Sequence, residues 1–432
     1  MRDARSVAID ALVRVEDGAF AHVLLPAKLR ASGLDSRDRA FVTHLVYGTV
    51  RMQRRLDALL APRCHQPFDR LEPRVRAALR VGAFQLLEGV APHAAVAATV
   101  EAAPPRARGL VNAVLRSVAA VGPEYPLPDA LGERYSYPDW IVAELEKSLS
   151  VDEVAAVLAV GNEPAAVTLR PNRRVTTADV LEAELLAADV RVARGRLIRE
   201  ALIVGGLGDP AALPAVTEGR ATPQDQGSQA VVALLDPQPG DRVLDVAAAP
   251  GGKATAVAER VPGGLVVAAD VHPGRLGLVT QAAARLHLPE VLGVVADGRR
   301  IPVRDGSFDR VLVDAPCSGL GTLRRNPEAR WRLTAKTVDA YPADQLSLLV
   351  TYAPLVAKGG RLIYATCSVL REENECVVER FLRERPDFEV MPLKEIWGKA
   401  RATELGDETF LRLLPQVHDT DGFFAAVLRR VG

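Results

Sequence analysis

The sequence predicts a multidomain chain of three parts: an all-α helical bundle, a small α+β subdomain and a doubly wound α/β domain. Three observations lead there. Apolar positions in residues 1–120 repeat only with the helical period, the 17 residues from Gly122 to Pro138 contain four prolines, and after Gln224-Asp225 strand-like runs alternate with helical ones. A chain of 432 residues also exceeds what one compact core organises.

In the bundle, Ala8, Leu12 and Val15 share a face, as do Phe41, Leu45, Met52, Leu56 and Leu59, then Val75, Leu79 and Leu86, then Val111, Val114 and Val118. Ser36 is the expected N-cap of the second run. Residues 1–120 hold 18 Lys and Arg against 11 Asp and Glu, an excess of +7 in a chain of zero net charge. An anionic partner is one explanation and solvated helix faces the other.

The prolines mark a linker at 123–138. Within 139–222, Asp152–Val160 and Thr177–Ala188 read as helices, Ala166–Arg170 and Ala201–Val204 as strands. In 223–432 the expected strands are Arg242–Ala247, Leu265–Asp270, Val291–Asp297, Asp309–Ala315, Arg361–Cys367, Phe388–Pro392 and Phe423–Arg429. Most are Val/Leu/Ile runs without alternation, the pattern of strands buried on both faces of a parallel sheet. Four scattered cysteines and no C-x-x-C pair give no disulfide framework and no expected metal site. No run is long and apolar enough for a signal core or a membrane span, so a cytoplasmic protein with reduced thiols is expected.

The first strand of the α/β domain runs into Asp245-Val246-Ala247-Ala248-Ala249-Pro250-Gly251-Gly252-Lys253 and then a helix. Small residues and two glycines at such a turn admit a ligand close to the backbone. A phosphate-binding Walker loop needs Gly at 247 and Ser or Thr at 254, where Ala stands at both, and G-x-G-x-x-G is absent. An adenosyl ligand without pyrophosphate remains. Asp270, 18 residues past Gly252, closes the second strand where a carboxylate binds ribose hydroxyls, and Asp297 closes the third, placed for the adenine edge.

Two strand ends carry cysteine: Asp314-Ala315-Pro316-Cys317-Ser318-Gly319 and Ala365-Thr366-Cys367-Ser368. A lone cysteine is usually a small buried hydrophobe, the reading given to Cys64 and Cys376. Two thiols on the cofactor edge of one sheet suit a chemistry that needs them. C5 of cytosine is a poor nucleophile until a thiolate adds to C6; methylation of an exocyclic amino group needs no such adduct.

The runs DVAAAPGGK, DAPCSG, YATCSVLREEN and DGFFAAVLRR, with GTLRRNPEARWR and GLVNAVLR, make the chain resemble the RNA 5-methylcytosine methyltransferases. It is similar end to end to their bacterial RsmB/Sun branch, which acts on 16S rRNA. The resemblance implies a NusB-like RNA-binding bundle (1–122), an RRM-like subdomain (139–222) and a Rossmann-like domain (223–432) using S-adenosyl-L-methionine. It makes Cys367 the nucleophile and Cys317 the residue that helps release product, an order that residue logic alone leaves open. Cofactor contacts are expected from Ala247, Ala248, Ala249, Pro250, Gly251, Gly252, Lys253, Asp270, Arg275, Asp297 and Asp314. Asp314 and Lys253 are also expected to face the target base. Ala247 is a departure at a position where relatives often carry Cys or another small residue.

The expected partner is RNA, free or in a small-subunit assembly intermediate, met by a monomer with its target base unstacked. Arg324, Arg325, Arg330, Arg332 and Trp331 are candidate contacts, as are Arg51, Arg54, Arg55, Arg74, Arg76 and Arg80 in the bundle. The same chemistry on tRNA, and a non-catalytic RNA-binding assembly factor, are the competing readings.

Overall fold

The computed structural model describes residues 3–122, 127–206, 209–296 and 303–431. The expected adenine contact Asp297 lies outside them, as do Pro123 and Pro126 of the expected linker. The chain forms two compact units, Met1–Pro164 with Leu323–Leu333, and Ala165–Thr322 with Thr334–Gly432.

The first unit is all-helical and opens with α1 (Ala4–Glu16), α2 (Ala21–Arg30), α3 (Ser36–Arg51), α4 (Gln53–Leu60), α5 (Pro73–Leu87), α6 (Pro92–Ala102) and α7 (Arg108–Val121). Asp3 and Asp35 cap α1 and α3 by accepting backbone N–H groups at 2.8 Å. Asp35, not Ser36, is the cap: its carboxylate reaches the Asp38 N–H, and Ser36 is already helical. The stripe from Phe41 to Leu59 is two helices rather than one, broken at Met52. Pro73 and Pro92 open α5 and α6, where a missing N–H costs nothing. Leu12, Leu45, Leu56, Leu59, Leu79 and Val111 sit in the common core. Asp139–Glu146 and Val151–Val160 also belong to this unit, the second closed by a Ser150–Glu153 capping box.

Leu323–Leu333 packs here as well, and it corrects the RNA-contact expectation. Arg330 is 0% exposed and lies 3.8 Å over the Tyr137 ring. Its guanidinium donates to Asn162 Oδ1 (2.9 Å) and to the carbonyls of Gly161, Arg51 and Ser136 (3.2–3.3 Å). Trp331 Nε1 donates to the Val50 carbonyl at 2.9 Å, and Arg332 stacks on Phe20 and bonds the Ala19 carbonyl. Arg51 and Arg324 are buried too, Arg51 donating to the Arg324 carbonyl at 2.8 Å. Arg80 is spent on Asp57 and Glu16, Arg76 on Glu16, Arg74 on Asp10 and Arg54 on Asp139. These cations satisfy helix-end carbonyls and carboxylates. Buried Arg51, Arg80, Arg324 and Arg330 are structural.

The second unit contains two sheets. In the smaller, β1 (Val167–Pro171), β2 (Arg191–Arg194), β3 (Leu202–Gly205) and β4 (Ala221–Pro223) pair antiparallel in the order β2-β3-β1-β4. The helix Ala178–Ala187 covers it through Leu181 and Leu185. The larger sheet comprises β5 (Arg242–Val246), β6 (Leu265–Asp270), β7 (Val291–Val295), β8 (Phe308–Asp314), β9 (Val356–Thr366), β10 (Phe388–Val390), β11 (Leu411–Leu413) and β12 (Phe423–Arg430). Its order is β10-β12-β9-β8-β5-β6-β7, with β11 on β12. Strands β5 to β9 are parallel, while β12 runs antiparallel to β9 and β10 and β11 antiparallel to β12, so the sheet is mixed. The winding reverses between β5 and β8, and a crevice at their carboxyl ends follows from that reversal. Among the described residues no helix is long and apolar enough to cross a membrane.

Replacing Arg330 by Ala strands buried carbonyls and empties a packed volume. Urea unfolding should show a loss on the order of 3 kcal/mol. A loss below about 1 kcal/mol would contradict the structural role.

Candidate active site

Four carboxyl ends bring the site together. β5 ends in the loop Ala247–Gly251, β6 in Asp270, β8 in Asp314 and β9 in Thr366, one residue before Cys367. The loop is fixed by its own backbone: Ala248 N–H donates to the Ala269 carbonyl and Gly251 N–H to the Ala248 carbonyl, both at 2.8 Å. Ala247 (φ 60°) and Gly251 (φ 106°) take left-handed backbone, and Ala249-Pro250 is cis. A Cβ on Gly251 would stand 3.0 Å from the Val279 Cα. Arg170, from β1 of the small sheet, braces the far side by donating to the Gly252 carbonyl (2.8 Å), Thr255 Oγ1 (3.1 Å) and Glu259 (2.8 Å).

Asp270 accepts from the N–H groups of Ala249 (3.3 Å) and His272 (2.9 Å). Arg275 donates to the Ala249 carbonyl at 3.1 Å and is 3.9 Å from Asp270, with its side chain 55% exposed. Both therefore shape the loop.

Lys253 Nζ bonds Asp314 Oδ2 at 2.7 Å and lies 5.2 Å from the Phe423 ring centre. Burial disfavours its charge, but Asp314 outweighs burial and the lysine is held above its ordinary value; the negative form of Cys367 adds to the effect. Asp245, absent from the sequence-based site, is 1% exposed, and neither carboxylate oxygen has a partner. Burial, then the charge of Asp314, pushes it well above the usual carboxylate range. An unpartnered buried acid beside Asp270 and Asp314 fits a ligand that brings positive charge. S-adenosylmethionine, a sulfonium with an α-ammonium, has that character.

Cys317 Sγ and Cys367 Sγ are 3.3 Å apart and both are free thiols. Cys317 is pushed well above its ordinary value, first by the hydrogen bond to Cys367, then by burial and the charges of Cys367 and Glu373; the Gly319 N–H acts the other way. The two strand ends are held in register by residues that sequence reasoning missed. Fully buried Glu373 accepts from Ser318 N–H (2.8 Å), Ser368 Oγ (2.7 Å) and Gln345 Nε2 (3.0 Å), tying the Cys317 turn to the Cys367 strand end. Gly321 donates to the Cys367 carbonyl at 2.9 Å and accepts from Gly422 at 2.8 Å. A Cβ there would lie 2.3 Å from the Gly422 oxygen, so no other residue fits. The one signal for Glu373 was an acid closely following a strand-end thiol.

Comparisons with known proteins match this architecture. The profile of the family described as 16S rRNA methyltransferase RsmB/F matches residues 232–429, the NusB family 2–120, and an RsmF/B-like ferredoxin-like domain 137–208. The probable ribosomal RNA small subunit methyltransferase B of Bacillus subtilis is 33% identical over 99% of both chains. The ribosomal RNA small subunit methyltransferase B of an Enterobacter species is 32% identical over 99% of both. Among solved structures, PH0851 aligns with 100% of this chain and 99% of its own at TM-score 0.84 and 27% identity. A methyltransferase homologue from Pyrococcus horikoshii covers 69% of this chain and 97% of its own at TM-score 0.58 and 27% identity.

The raised pKa of Asp245 has a consequence for stability. Its folded pKa is raised, so the native state keeps a proton that the unfolded state releases from about pH 4 upward. Stability from this group falls as pH rises towards the folded pKa. Asp245→Asn removes the dependence, so in urea unfolding of unliganded protein between about pH 5 and 8 the variant should gain on wild type as pH rises. Parallel curves would refute the raised pKa.

Proposed function

The chain belongs to the RsmB/F family of 16S rRNA methyltransferases, and from that membership we propose that it methylates C5 of a cytosine through a covalent Cys367–C6 adduct. One observation carries the chemistry: two free thiols 3.3 Å apart at the sheet edge that also holds the Lys253–Asp314 pair. The segment matching NusB is assigned to RNA binding.

We assign cofactor binding to the loop Ala247–Lys253 with Asp245, Asp270 and Asp314, the acids offering the positive ligand its counter-charges; Arg275 supports the loop. Asp297 keeps its assignment to the adenine edge on the sequence argument alone. When bound, S-adenosylmethionine supplies an electrophilic methyl group.

The residues divide the remaining work by protonation. In the order the family resemblance implies, Cys367 adds to C6 as thiolate, the new C6–S bond turning C5 into an enamine carbon, and Cys317, whose thiol is raised by its hydrogen bond to Cys367, is the partner in release. Lys253 and Asp314 face the base as an ammonium–carboxylate pair and stabilise charge that spreads through the ring. Once the Cys367 sulfur is bonded to C6 it neither bonds Cys317 nor carries charge. The hydrogen bond that most raises Cys317 is then gone, while burial and the charge of Glu373 remain. For release Cys317 acts as the base: its own proton having gone to solvent, it takes the C5 proton, the C6–S bond breaks and Cys367 leaves as the thiolate that entered.

Cys367→Ser should reduce methyl transfer to 16S rRNA to less than about one part in 10³, read by bisulfite sequencing; near-normal transfer would remove the nucleophile assignment. Cys317→Ala should accumulate a protein–RNA adduct on a denaturing gel. Its absence, with transfer intact, would refute the release role.

A further inference from the structure

The cysteines occupy the carboxyl edge of the larger sheet, and the amino edge has a feature of its own. Where the turn at 236–240 enters β5 and the helix Gly252–Ala258 runs out, a cleft of about 730 Å³ opens, lined by Arg173, Arg196, Arg199, Arg260 and Arg401 together with Trp397. Two of these arginines come from the connection between β2 and β3, and Arg173 follows β1.

The acids lining the cleft do not neutralise this cluster. Of the three acids that line it, Glu259 is committed to Arg170 at 2.8 Å, Asp236 to Arg361 at 3.3 Å, and Glu200 acts on Arg260 without coming within ion-pair distance. Among the described residues no carboxylate lies within ion-pair distance of Arg173, Arg199 or Arg260; Arg196 has an exposed partner in Glu404 at 3.4 Å. Burial and the like charges of Arg173 and Arg170 push Arg260 down to about 10. Crowded guanidinium groups repel one another unless an anion enters, and their planar forks match phosphate oxygens. Arg401 adds a cation packed 4.7 Å from the Trp397 ring centre.

We propose that this cleft binds phosphate groups of the RNA backbone, as a contact separate from the catalytic edge. The proposal rests on the chain acting on RNA. The five residues of β5 separate the two edges by roughly 16 Å, so the phosphates held here belong to a part of the RNA other than the target nucleotide.

The test uses full-length Arg173→Glu/Arg199→Glu protein and a fluorescein-labelled 16S rRNA transcript, followed by anisotropy across a salt titration. Kd should rise about tenfold and the slope of log K against log salt should fall by about 1.5. S-adenosylmethionine affinity by calorimetry should match wild type, which separates loss of the cleft from loss of the fold. If the double reversal unfolds, Arg173→Gln/Arg199→Gln should give the same change in slope. Unchanged RNA affinity and slope in a folded variant overturns the proposal. So does a variant that loses binding of inorganic triphosphate while keeping RNA, which would make the ligand a free polyphosphate. Wild-type protein that binds RNA through the cleft without methylating it would instead overturn the proposed function and leave this contact standing.

Discussion

The site depends on one buried ion pair, Lys253 with Asp314, at the point where the sheet reverses its winding. An enclosed ammonium is tolerated only with a counter-charge in contact, and Asp314 supplies it at 2.7 Å. That contact ties the first turn of the helix carrying Lys253 to the end of β8. It also sets the charge state of the surroundings. Of the three acids Asp245, Asp270 and Asp314, Asp245 is the one with no hydrogen-bond partner, and burial and the charge of Asp314 push it well above the usual carboxylate range.

A second constraint concerns the two sulfurs. They reach 3.3 Å only because two chain segments, ending β8 and β9, are sewn together behind them. Glu373 binds one segment through Ser318 and the other through Ser368, and Gly321 lets the backbones touch. The buried acid does more than hold geometry, since its charge also helps keep Cys317 protonated.

Much of this was legible in the sequence because burial on both faces leaves a plain mark. The seven strands expected in the α/β domain all appear, as do both strands expected of the small sheet. What stayed hidden were features that depend on distant partners. Nothing in GTLRRNPEARWR distinguishes an arginine that meets RNA from one that fills a helix-lined hole, and Arg330 proved to be the second kind. The break at Met52 was masked because α3 and α4 keep apolar spacing across it. Strands β2, β4 and β11 have three or four residues each, too few for a period to show. Asp245 was passed over because an acid inside an apolar strand looks like a strand terminus; only its burial and missing partners single it out.

Two chemically identical groups at one site must be made unequal before they can take different roles, and the inequality lies in their surroundings. Cys317 sits in a Gly-bearing turn with Glu373 behind it and Cys367 at a strand end beside Lys253, both thiols half-buried. The strongest influence on Cys317 is Cys367 itself, so the inequality is conditional. It holds while Cys367 is free and relaxes when that sulfur is bonded. Forming the adduct removes the hydrogen bond that most raises the residue assigned to release, so the two thiols act as a coupled pair rather than as independent groups.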